Sequence, residues 1–283
     1  MGSDGSDDRP PGRLPDRQTS PGGLRENVVD PTRFYDDLAE YYDLIYADWA
    51  RSMEHQGRAI AQVLDRTFPE RERHSVRVLD VSAGIGTQTI PLAQAGYWVT
   101  ARDISPGAIA RLSREAASRG LLIDAAPADM RTVAESIQGS FDAAIAFDNS
   151  IPHLQNDAEI LLALRQFREV LVPGGLLLLS VRDYEKVDRS PQSVHPYGER
   201  TRHGRTFRLE QRWSWTGPSH YRTRFVIEEL RGGSWVPIKE TEGRYFAIPV
   251  VRMLDLMAEA GFSDSRICEV EFFQPVLTGR SSV

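Results

Sequence analysis

The residues best suited to chemistry in this sequence stand directly after short apolar runs. The first run, residues 76–79, ends in Asp80 and leads into a turn of small residues that includes Gly84 and Gly86. Glycine has no Cβ and adopts backbone angles closed to other residues, so a ligand can lie against the bare backbone of such a turn. A helical pattern begins directly after the turn, and the N-terminus of a helix favours polar or anionic groups. This stretch therefore predicts a cofactor site, and we expect the cofactor to carry a nucleoside.

Two further acids follow the next apolar runs. Asp103 follows the run 97–101, and Asp129 follows the run 123–128. A carboxylate can accept hydrogen bonds from both hydroxyls of a ribose, which makes Asp103 a candidate for sugar binding. The dinucleotide fingerprint needs a third glycine at the position of Thr89, so the pattern disfavours a nicotinamide dinucleotide.

This succession of strand ends, small-residue turn and acids resembles the class I S-adenosylmethionine-dependent methyltransferases, over residues 34–280. Ser82 departs from the family pattern D-x-G-x-G-x-G, because it stands where the first glycine is usual. The resemblance implies S-adenosyl-L-methionine as the cofactor, with Asp103 on the ribose and Asp129 with Met130 on the adenine. The residues that it implies for cofactor binding are Tyr46, Trp49, Arg51, Asp80, Ser82, Ala83, Gly84, Gly86, Asp103, Ile104, Asp129, Met130 and Asp148.

The fourth and fifth apolar runs end in residues that could contact an acceptor. The sequence DNSIPHL occupies residues 148–154, and Arg182 follows the run 176–181. Both stretches are similar to those of glycine N-methyltransferase-like enzymes, which implies that Arg182 binds a carboxylate of the acceptor. Its guanidinium suits that task because its fixed fork grips both oxygens, whereas an ion pair with Asp183 is the structural alternative. The candidates for substrate binding are Tyr35, Asn149, His153, Arg182, Tyr197 and Tyr245, and those for catalysis, as a base, are His153, Asp148 and Tyr184.

The pattern of apolar runs predicts the fold that must position these residues. Strands and helices alternate with short connections up to Tyr184, which indicates an α/β fold with a doubly wound, Rossmann-like, seven-stranded and mostly parallel sheet. After the fifth strand the alternation stops, and an antiparallel β insertion is expected. The predicted divisions are a disordered tail (1–30), an N-terminal helical lid (31–74) that includes an amphipathic helix over 34–49, the cofactor-binding core (75–184), the insertion as a substrate cover (185–249) and the end of the core sheet (250–283).

Composition limits the classes of partner. The 283 residues are 41% hydrophobic and carry a net charge of -6, which argues against a general nucleic-acid binder. The single Cys268 cannot form an intramolecular disulfide, and no apolar run reaches membrane-spanning length. We expect a cytoplasmic protein without membrane or metal partners, and a homo-oligomeric state stays open. The basic run 200–212 is either a solvated face, with four of its arginines on one side, or a clamp for a phosphorylated substrate.

The leading hypothesis is methyl transfer to a small molecule, most simply to the nitrogen of an amine or amino acid. An O- or C-methyltransferase of a natural-product pathway is the alternative within the same class. From other classes, an NAD-dependent oxidoreductase and a non-catalytic nucleotide-binding module are the alternatives. Thr89 disfavours the oxidoreductase, and the polar residues after two neighbouring strands disfavour the binding module.

Overall fold

The computed structural model describes residues 30–282, and the tail predicted over residues 1–30 lies, except for Asp30, outside the described residues. Two sheets and six α-helices make up the described chain. The elements in chain order are α1 (Pro31–Leu38), α2 (Trp49–Thr67), β1 (Arg77–Asp80), α3 (Thr89–Gln94), β2 (Trp98–Asp103), α4 (Pro106–Ser118), β3 (Asp124–Pro127), β4 (Phe141–Ala146), α5 (Asp157–Glu169), β5 (Leu171–Ser180), β6 (Gln192–Arg202), β7 (Arg205–Trp215), β8 (His220–Arg231), β9 (Ser234–Phe246), α6 (Val250–Glu259), β10 (Phe262–Ile267) and β11 (Val276–Ser281).

The larger sheet has seven strands in the order β3-β2-β1-β4-β5-β11-β10. Strands β1 to β5 are parallel, and β11 runs antiparallel to both of its neighbours. The strand order reverses between β1 and β4, and in open α/β sheets ligands bind at the carboxyl ends of the strands beside such a reversal. The predicted fold class, with its seven-stranded and mostly parallel sheet, is therefore confirmed.

Helices cover both faces of this sheet. In β5, Leu176 and Leu178 pack towards α2 and α3, whereas Leu177 and Leu179 pack towards α5 and α6. A strand that is buried on both faces is apolar at successive positions, which explains the unbroken run of leucines. The helices hold the sheet rigidly and leave the carboxyl ends of its strands free to carry the site.

The segment before α2 is not the single helix predicted over residues 34–49. Helix α1 ends at Leu38, a 3-10 turn spans Tyr42–Ile45, and α2 begins at Trp49. The side chain of Asp48 accepts the backbone N–H of Arg51 at 3.0 Å, so it caps the start of a new helix. Apolar residues still recur at helical spacing across the break, which is why the pattern predicted one helix.

The smaller sheet, β6-β7-β8-β9, is antiparallel and follows the fifth strand of the larger one. Its inner face packs against the N-terminal segment, where Phe34 and Leu38 meet Phe207 and Phe225. Asp43 in that segment accepts hydrogen bonds from Arg111 of α4 at 2.8 Å and from Arg202 of β6 at 2.7 Å. The N-terminal segment is thereby held between α4 and the smaller sheet.

The basic run 200–212 does not line one side of the smaller sheet as predicted. The hairpin turn pairs Arg202 with Arg205, so Arg200 stands opposite the buried Phe207 while Arg208 stands opposite Glu199 on the outer face. Side chains directly opposite each other on neighbouring strands lie on the same face of the sheet. Which arginines of β6 and β7 share a face is therefore decided by the register of the hairpin and not by whether their residue numbers are even or odd. The arginines are also occupied: Arg200 by the carbonyl of Tyr46, Arg202 by Asp43, Arg205 by Glu229, Arg208 by Glu228 and Arg212 by Glu210.

Candidate functional site

Asp80 stabilises the turn after β1 through hydrogen bonds and does not itself line a cavity. Its carboxylate accepts the backbone N–H of Ser82 at 3.2 Å and the hydroxyl of Thr89 at 2.7 Å, and burial raises the pKa of Asp80 to about 7. Gly84 has a φ of 51°, and a Cβ added there would meet no atom within 4 Å. At Gly86, by contrast, a Cβ would lie 2.7 Å from Ile90. Gly84 therefore leaves bare backbone towards open space, and Gly86 permits close packing.

A cavity of about 370 Å³, here called the turn cavity, opens beside Gly84. It extends along the carboxyl ends of β1, β2, β3 and β4. The residues predicted for cofactor binding that line it are Ser82, Ala83, Gly84, Asp103, Ile104, Asp129, Met130 and Asp148.

Asp103 lines the turn cavity next to Gly84. Its carboxylate accepts the backbone N–H of Gly84 at 2.8 Å and that of Ser105 at 2.9 Å, which fixes its orientation. Burial raises the pKa of Asp103 to about 6. Each carboxylate oxygen has two lone pairs, so both oxygens can still accept a hydroxyl. Asp129 is paired with Arg131, whose Nη2 lies 2.6 Å from its Oδ2.

The segment after β4 is strained. Asp148 and Asn149 have φ angles of 57° and 62°, in the left-handed region that non-glycine residues seldom adopt. Such strain is concentrated at binding and catalytic sites, where the surroundings hold it. Asp148 Oδ2 accepts hydrogen bonds from the hydroxyl of Tyr46 at 2.7 Å and from Nε2 of Gln88 at 3.1 Å. Burial raises the pKa of Asp148.

A second cavity, of about 390 Å³ and here called the aromatic cavity, adjoins the first. Asp148, Tyr35 and Tyr42 line both cavities, so they mark the boundary. The predicted substrate and cofactor residues that line the aromatic cavity are Tyr35, Tyr46, Asp148, Asn149, Arg182, Tyr197 and Tyr245.

Arg182 supplies the positive charge of the aromatic cavity. Its Nη1 donates to the hydroxyl of Tyr221 at 2.9 Å, and its guanidinium carbon lies 4.6 Å from the ring centre of Trp213. Within residues 30–282 no carboxylate approaches this guanidinium within 4 Å; Asp183 pairs with Lys186 instead. Asn149 fixes the backbone here, because its Oδ1 accepts the N–H of Arg182 at 2.8 Å. The structure thus directs an uncompensated cation into the cavity, which suits an anionic ligand.

His153 lies at the edge of the turn cavity. Its Nε2 and the hydroxyl of Tyr35 are hydrogen bonded at 2.7 Å, and its ring centre lies 4.1 Å from that of Tyr245. Burial lowers the pKa of His153 to about 3, so the ring stays neutral at physiological pH. Tyr184 is fully buried and lines neither cavity; its hydroxyl accepts a hydrogen bond from Nδ2 of Asn149 at 2.8 Å and shares another with the hydroxyl of Tyr221 at 3.3 Å.

Four predicted cofactor residues line neither cavity: Asp80 and Gly86, which support the glycine turn, and Trp49 and Arg51 on α2. Arg51 is exposed on α2, and its side chain lines neither of them. Trp49 does not line the turn cavity but contacts a residue that does, since its Nε1 donates to the hydroxyl of Thr87 at 3.0 Å.

Several lining residues were not predicted. Gln88 follows the glycine turn and bonds Asp148, and Tyr42 separates the cavities. Gln211 of β7 lies between Leu209 and Trp213 on the inner face of the smaller sheet. A polar residue at an inward position of an alternating strand was a signal that could have identified it.

The polar atoms around the turn cavity fit a nucleoside-bearing cofactor. Four buried side-chain oxygens of residues that line the turn cavity, Ser82 Oγ, Asp148 Oδ1, Ser150 Oγ and Gln155 Oε1, have no hydrogen-bond partner among residues 30–282, and neither has Nε of Arg244. Buried polar atoms are rarely left unsatisfied, so such atoms mark a place where a ligand bonds. Together with the open backbone of Gly84 and the carboxylate of Asp103, they fit a polar ligand with a ribose. The fold and site thus define a nucleoside-cofactor protein of the Rossmann-like class.

Comparison with known proteins specifies the family. Residues 78–175 match the family model described as a methyltransferase domain. The chain is 32% identical over 168 residues to the glycine/sarcosine N-methyltransferase of Parasynechococcus marenigrum, covering 59% of this chain and 57% of that one. It is 29% identical over 173 residues to the enzyme of the same name from Halorhodospira halochloris, covering 60% and 65%. The match thus spans less than two thirds of each of these relatives.

A solved structure gives the same result for the fold. The sugar N-methyltransferase KedS8 from Streptoalloteichus superposes with a TM-score of 0.69 at 19% identity, covering 96% of this chain and all of that one. These comparisons support the resemblance predicted from the sequence: residues 78–175 match a methyltransferase domain, and the chain is similar to S-adenosylmethionine-dependent methyltransferases. Between residues 30 and 282, no helix is both long and apolar enough to cross a membrane. The same residues contain no group of three or more potential metal ligands.

Proposed function

We propose that the protein transfers a methyl group from S-adenosyl-L-methionine to the nitrogen of a small amine that carries an anionic group. The observation that carries this proposal is the meeting of two cavities at Asp148, one beside the glycine turn and one that contains Arg182. The similar glycine/sarcosine N-methyltransferases and the sugar N-methyltransferase also favour nitrogen as the acceptor atom.

In the turn cavity, the open backbone at Gly84, the hydroxyl of Ser82 and the carboxylate of Asp103 would hold the cofactor. Ile104, Asp129 and Met130 would enclose its base. When bound, the cofactor supplies an electrophilic methyl group on a sulfonium. Because this displacement needs no covalent enzyme intermediate, the chain can accelerate it mainly by positioning.

In the aromatic cavity, Arg182 would bind the anionic group and Asp148 would receive the amine. Asp148 Oδ2 is occupied by Tyr46 and Gln88, whereas its buried Oδ1 has no partner among the described residues. The amine reaches the site as an ammonium and must lose a proton before its lone pair can react. Asp148 is suited to accept that proton at Oδ1, since burial raises its pKa and makes it a stronger base than an exposed aspartate.

The alternatives have less support. A phenol or enol acceptor would also need a base, so O- or C-methyl transfer uses the same Asp148 and stays the nearest alternative. For an NAD-dependent oxidoreductase, the third glycine position is taken by Thr89, whose hydroxyl is bonded to Asp80. A non-catalytic binding module would not need a second cavity with an uncompensated cation next to the first. A cytoplasmic location, a homo-oligomeric state and the predicted division into lid, core and insertion remain proposals from the sequence.

The test is methyl transfer from methyl-labelled S-adenosylmethionine to a panel of amines, amino acids, phenols and phosphorylated compounds. We expect label on the nitrogen of amines with an anionic group. Arg182→Met should lower kcat/KM for these acceptors by at least about tenfold, the loss of one charge-assisted hydrogen bond, and leave S-adenosylhomocysteine affinity unchanged. The matched control is Arg189→Met, because Arg189 also stacks on a tryptophan, Trp215 at 5.0 Å, but lies outside both cavities. Label on oxygen or carbon alone, or equal effects of the two variants, would contradict the proposal.

A further inference from the structure

We propose that the acceptor is an aromatic amino acid, or an amine of the same shape, and not an acceptor as small as glycine. This inference rests on the proposed function and names its substrate class. It depends on the size of the aromatic cavity, on the separation of its polar and apolar ends, and on the charges at the polar end.

The first observation is size. The aromatic cavity measures about 390 Å³ and adjoins the turn cavity without including the residues of the glycine turn. Pockets of roughly 300–1,000 Å³ enclose drug-sized ligands. An acceptor with only an amine, a carboxylate and one carbon between them would leave most of this space without contacts, and unfilled apolar space forfeits dispersion energy.

The second observation is that the apolar lining forms one end of the cavity. Phe34, Leu38, Ile45, Tyr197 and Phe225 all line it and all belong to one cluster, built between the N-terminal segment and the inner face of the smaller sheet. The rings of Tyr197 and Phe225 are stacked with their centres 5.6 Å apart. Aromatic rings of a ligand pack well against such a surface, stacked or edge to face.

The third observation concerns the opposite end. Arg182 packs on Trp213 and Tyr221, which belong to a different cluster, and Asn149 links its backbone to the segment that carries Asp148. The cavity is therefore lined both by a cation and by a carboxylate with a free oxygen. These two groups complement an α-amino acid, whose ammonium and carboxylate are carried by one carbon.

Gln211 marks the change from one end to the other. It stands on the inner face of β7 opposite Phe225, and its Oε1 accepts the indole N–H of Trp213 at 2.9 Å. The lining thus includes a cation, an amide and a group of rings. A zwitterion with an aromatic side chain satisfies all three parts at once, whereas glycine reaches only the first.

The experiment compares acceptors that share one headgroup: glycine, alanine, leucine and phenylalanine, with phenethylamine and 3-phenylpropionate as compounds that lack one charge each. S-adenosylhomocysteine formation gives kcat/KM, and calorimetry in the presence of S-adenosylhomocysteine gives binding. We expect kcat/KM for phenylalanine to exceed that for glycine by about 10- to 100-fold, the factor associated with burying one such side chain. We also expect 3-phenylpropionate, which cannot be methylated on nitrogen, to bind competitively with phenylalanine.

Two variants test the position of the aromatic body. Ile45→Trp narrows the apolar end and should lower the ratio of kcat/KM for phenylalanine to that for glycine by at least about tenfold; Val251→Trp, at an exposed position of α6, should leave the ratio unchanged. Thermal unfolding checks that each variant folds. Should Ile45→Trp fail to fold, Phe225→Leu removes a ring instead and should lower phenylalanine binding several-fold.

The outcomes separate the inference from the function on which it rests. Methylation of glycine as efficient as that of phenylalanine, with no effect of either cavity variant on the ratio, would overturn the inference and leave the methyltransferase assignment intact. Failure to bind S-adenosylhomocysteine, with no transfer to any acceptor, would overturn the proposed function itself.

Discussion

Asp103→Asn should separate the two roles of this carboxylate, in cofactor binding and in the stability of the fold. In the folded chain burial raises its pKa from an ordinary 3.8 to about 6. Between these values the folded state keeps a proton that the unfolded state has lost, so the free energy of unfolding falls as pH rises through this window. At about 1.4 kcal/mol per pKa unit, the ionised carboxylate destabilises the fold above pH 6 by about 3 kcal/mol.

Asparagine does not ionise, so the variant avoids this cost. It can, however, accept only one of the two backbone N–H groups, of Gly84 and Ser105, and the other faces an amide nitrogen in a buried place. An unsatisfied buried donor costs about 1–3 kcal/mol. At pH 8 the avoided cost of ionisation and the lost backbone hydrogen bond nearly cancel in the free energy of unfolding of the variant. At pH 4 the wild-type carboxyl group is protonated in the folded state, so only the cost of the lost hydrogen bond remains. The difference in free energy of unfolding between the wild type and the variant should therefore change by about 2–3 kcal/mol between these pH values.

Cofactor affinity should fall even at pH 8, where the stability of the variant is close to that of the wild type. A hydrogen bond from a ribose hydroxyl to a carboxylate is worth about 1.5–3 kcal/mol, so S-adenosylhomocysteine should bind the variant about 10- to 150-fold more weakly. Urea unfolding at pH 4 and pH 8 measures stability, and calorimetry at pH 8 measures affinity. The matched control is Asp255→Asn, at an exposed position of α6, which should change neither quantity.

The reasoning would be refuted by a variant that binds S-adenosylhomocysteine as tightly as the wild type and is destabilised equally at both pH values. Asp103 would then serve only to hold the backbone of the turn.

Three other predictions concern the same edge of the sheet. Gly84→Ala places a methyl group in the turn cavity at a φ of 51°, and we expect a loss of stability of about 1–2 kcal/mol and at least about tenfold weaker S-adenosylhomocysteine binding, by urea unfolding and calorimetry. Tyr46→Phe removes a hydrogen bond that lowers the pKa of Asp148, so the acidic limb of the pH–rate profile should move to higher pH; an unchanged limb would exclude Asp148 as the base. His153 stays neutral because burial lowers its pKa to about 3, so His153→Gln should alter the rate but not the shape of that profile between pH 5 and pH 8.

The sequence predicted those parts of the fold and site that depend on local pattern. A strand, a glycine turn and a helix follow each other within about 20 residues at Asp80, and parallel strands bring their carboxyl ends to one edge whatever lies between them. For the same reason Asp103 and Asp148 could be expected at a common edge. Their positions in the sequence predicted this shared edge because strands and helices alternate regularly in this part of the chain.

The parts that depend on contacts between distant elements could not be read in this way. The break before Trp49 accompanies packing of the N-terminal segment between α4 and the smaller sheet, where Asp43 meets Arg111 and Arg202. Helical periodicity does not report such contacts. The distribution of the basic run over two faces depends on the register of one hairpin, and the pairing of Arg202 with Arg205 is set by its turn. Local propensity gives way to tertiary contacts at these places.

The most direct test of the central claim is a crystal structure of the protein with S-adenosylhomocysteine. We predict the nucleoside in the turn cavity, its ribose hydroxyls within hydrogen-bond distance of Asp103, and its sulfur facing Asp148 at the entrance to the aromatic cavity. A ligand bound elsewhere, or one whose sulfur points away from the cavity that contains Arg182, would contradict the account.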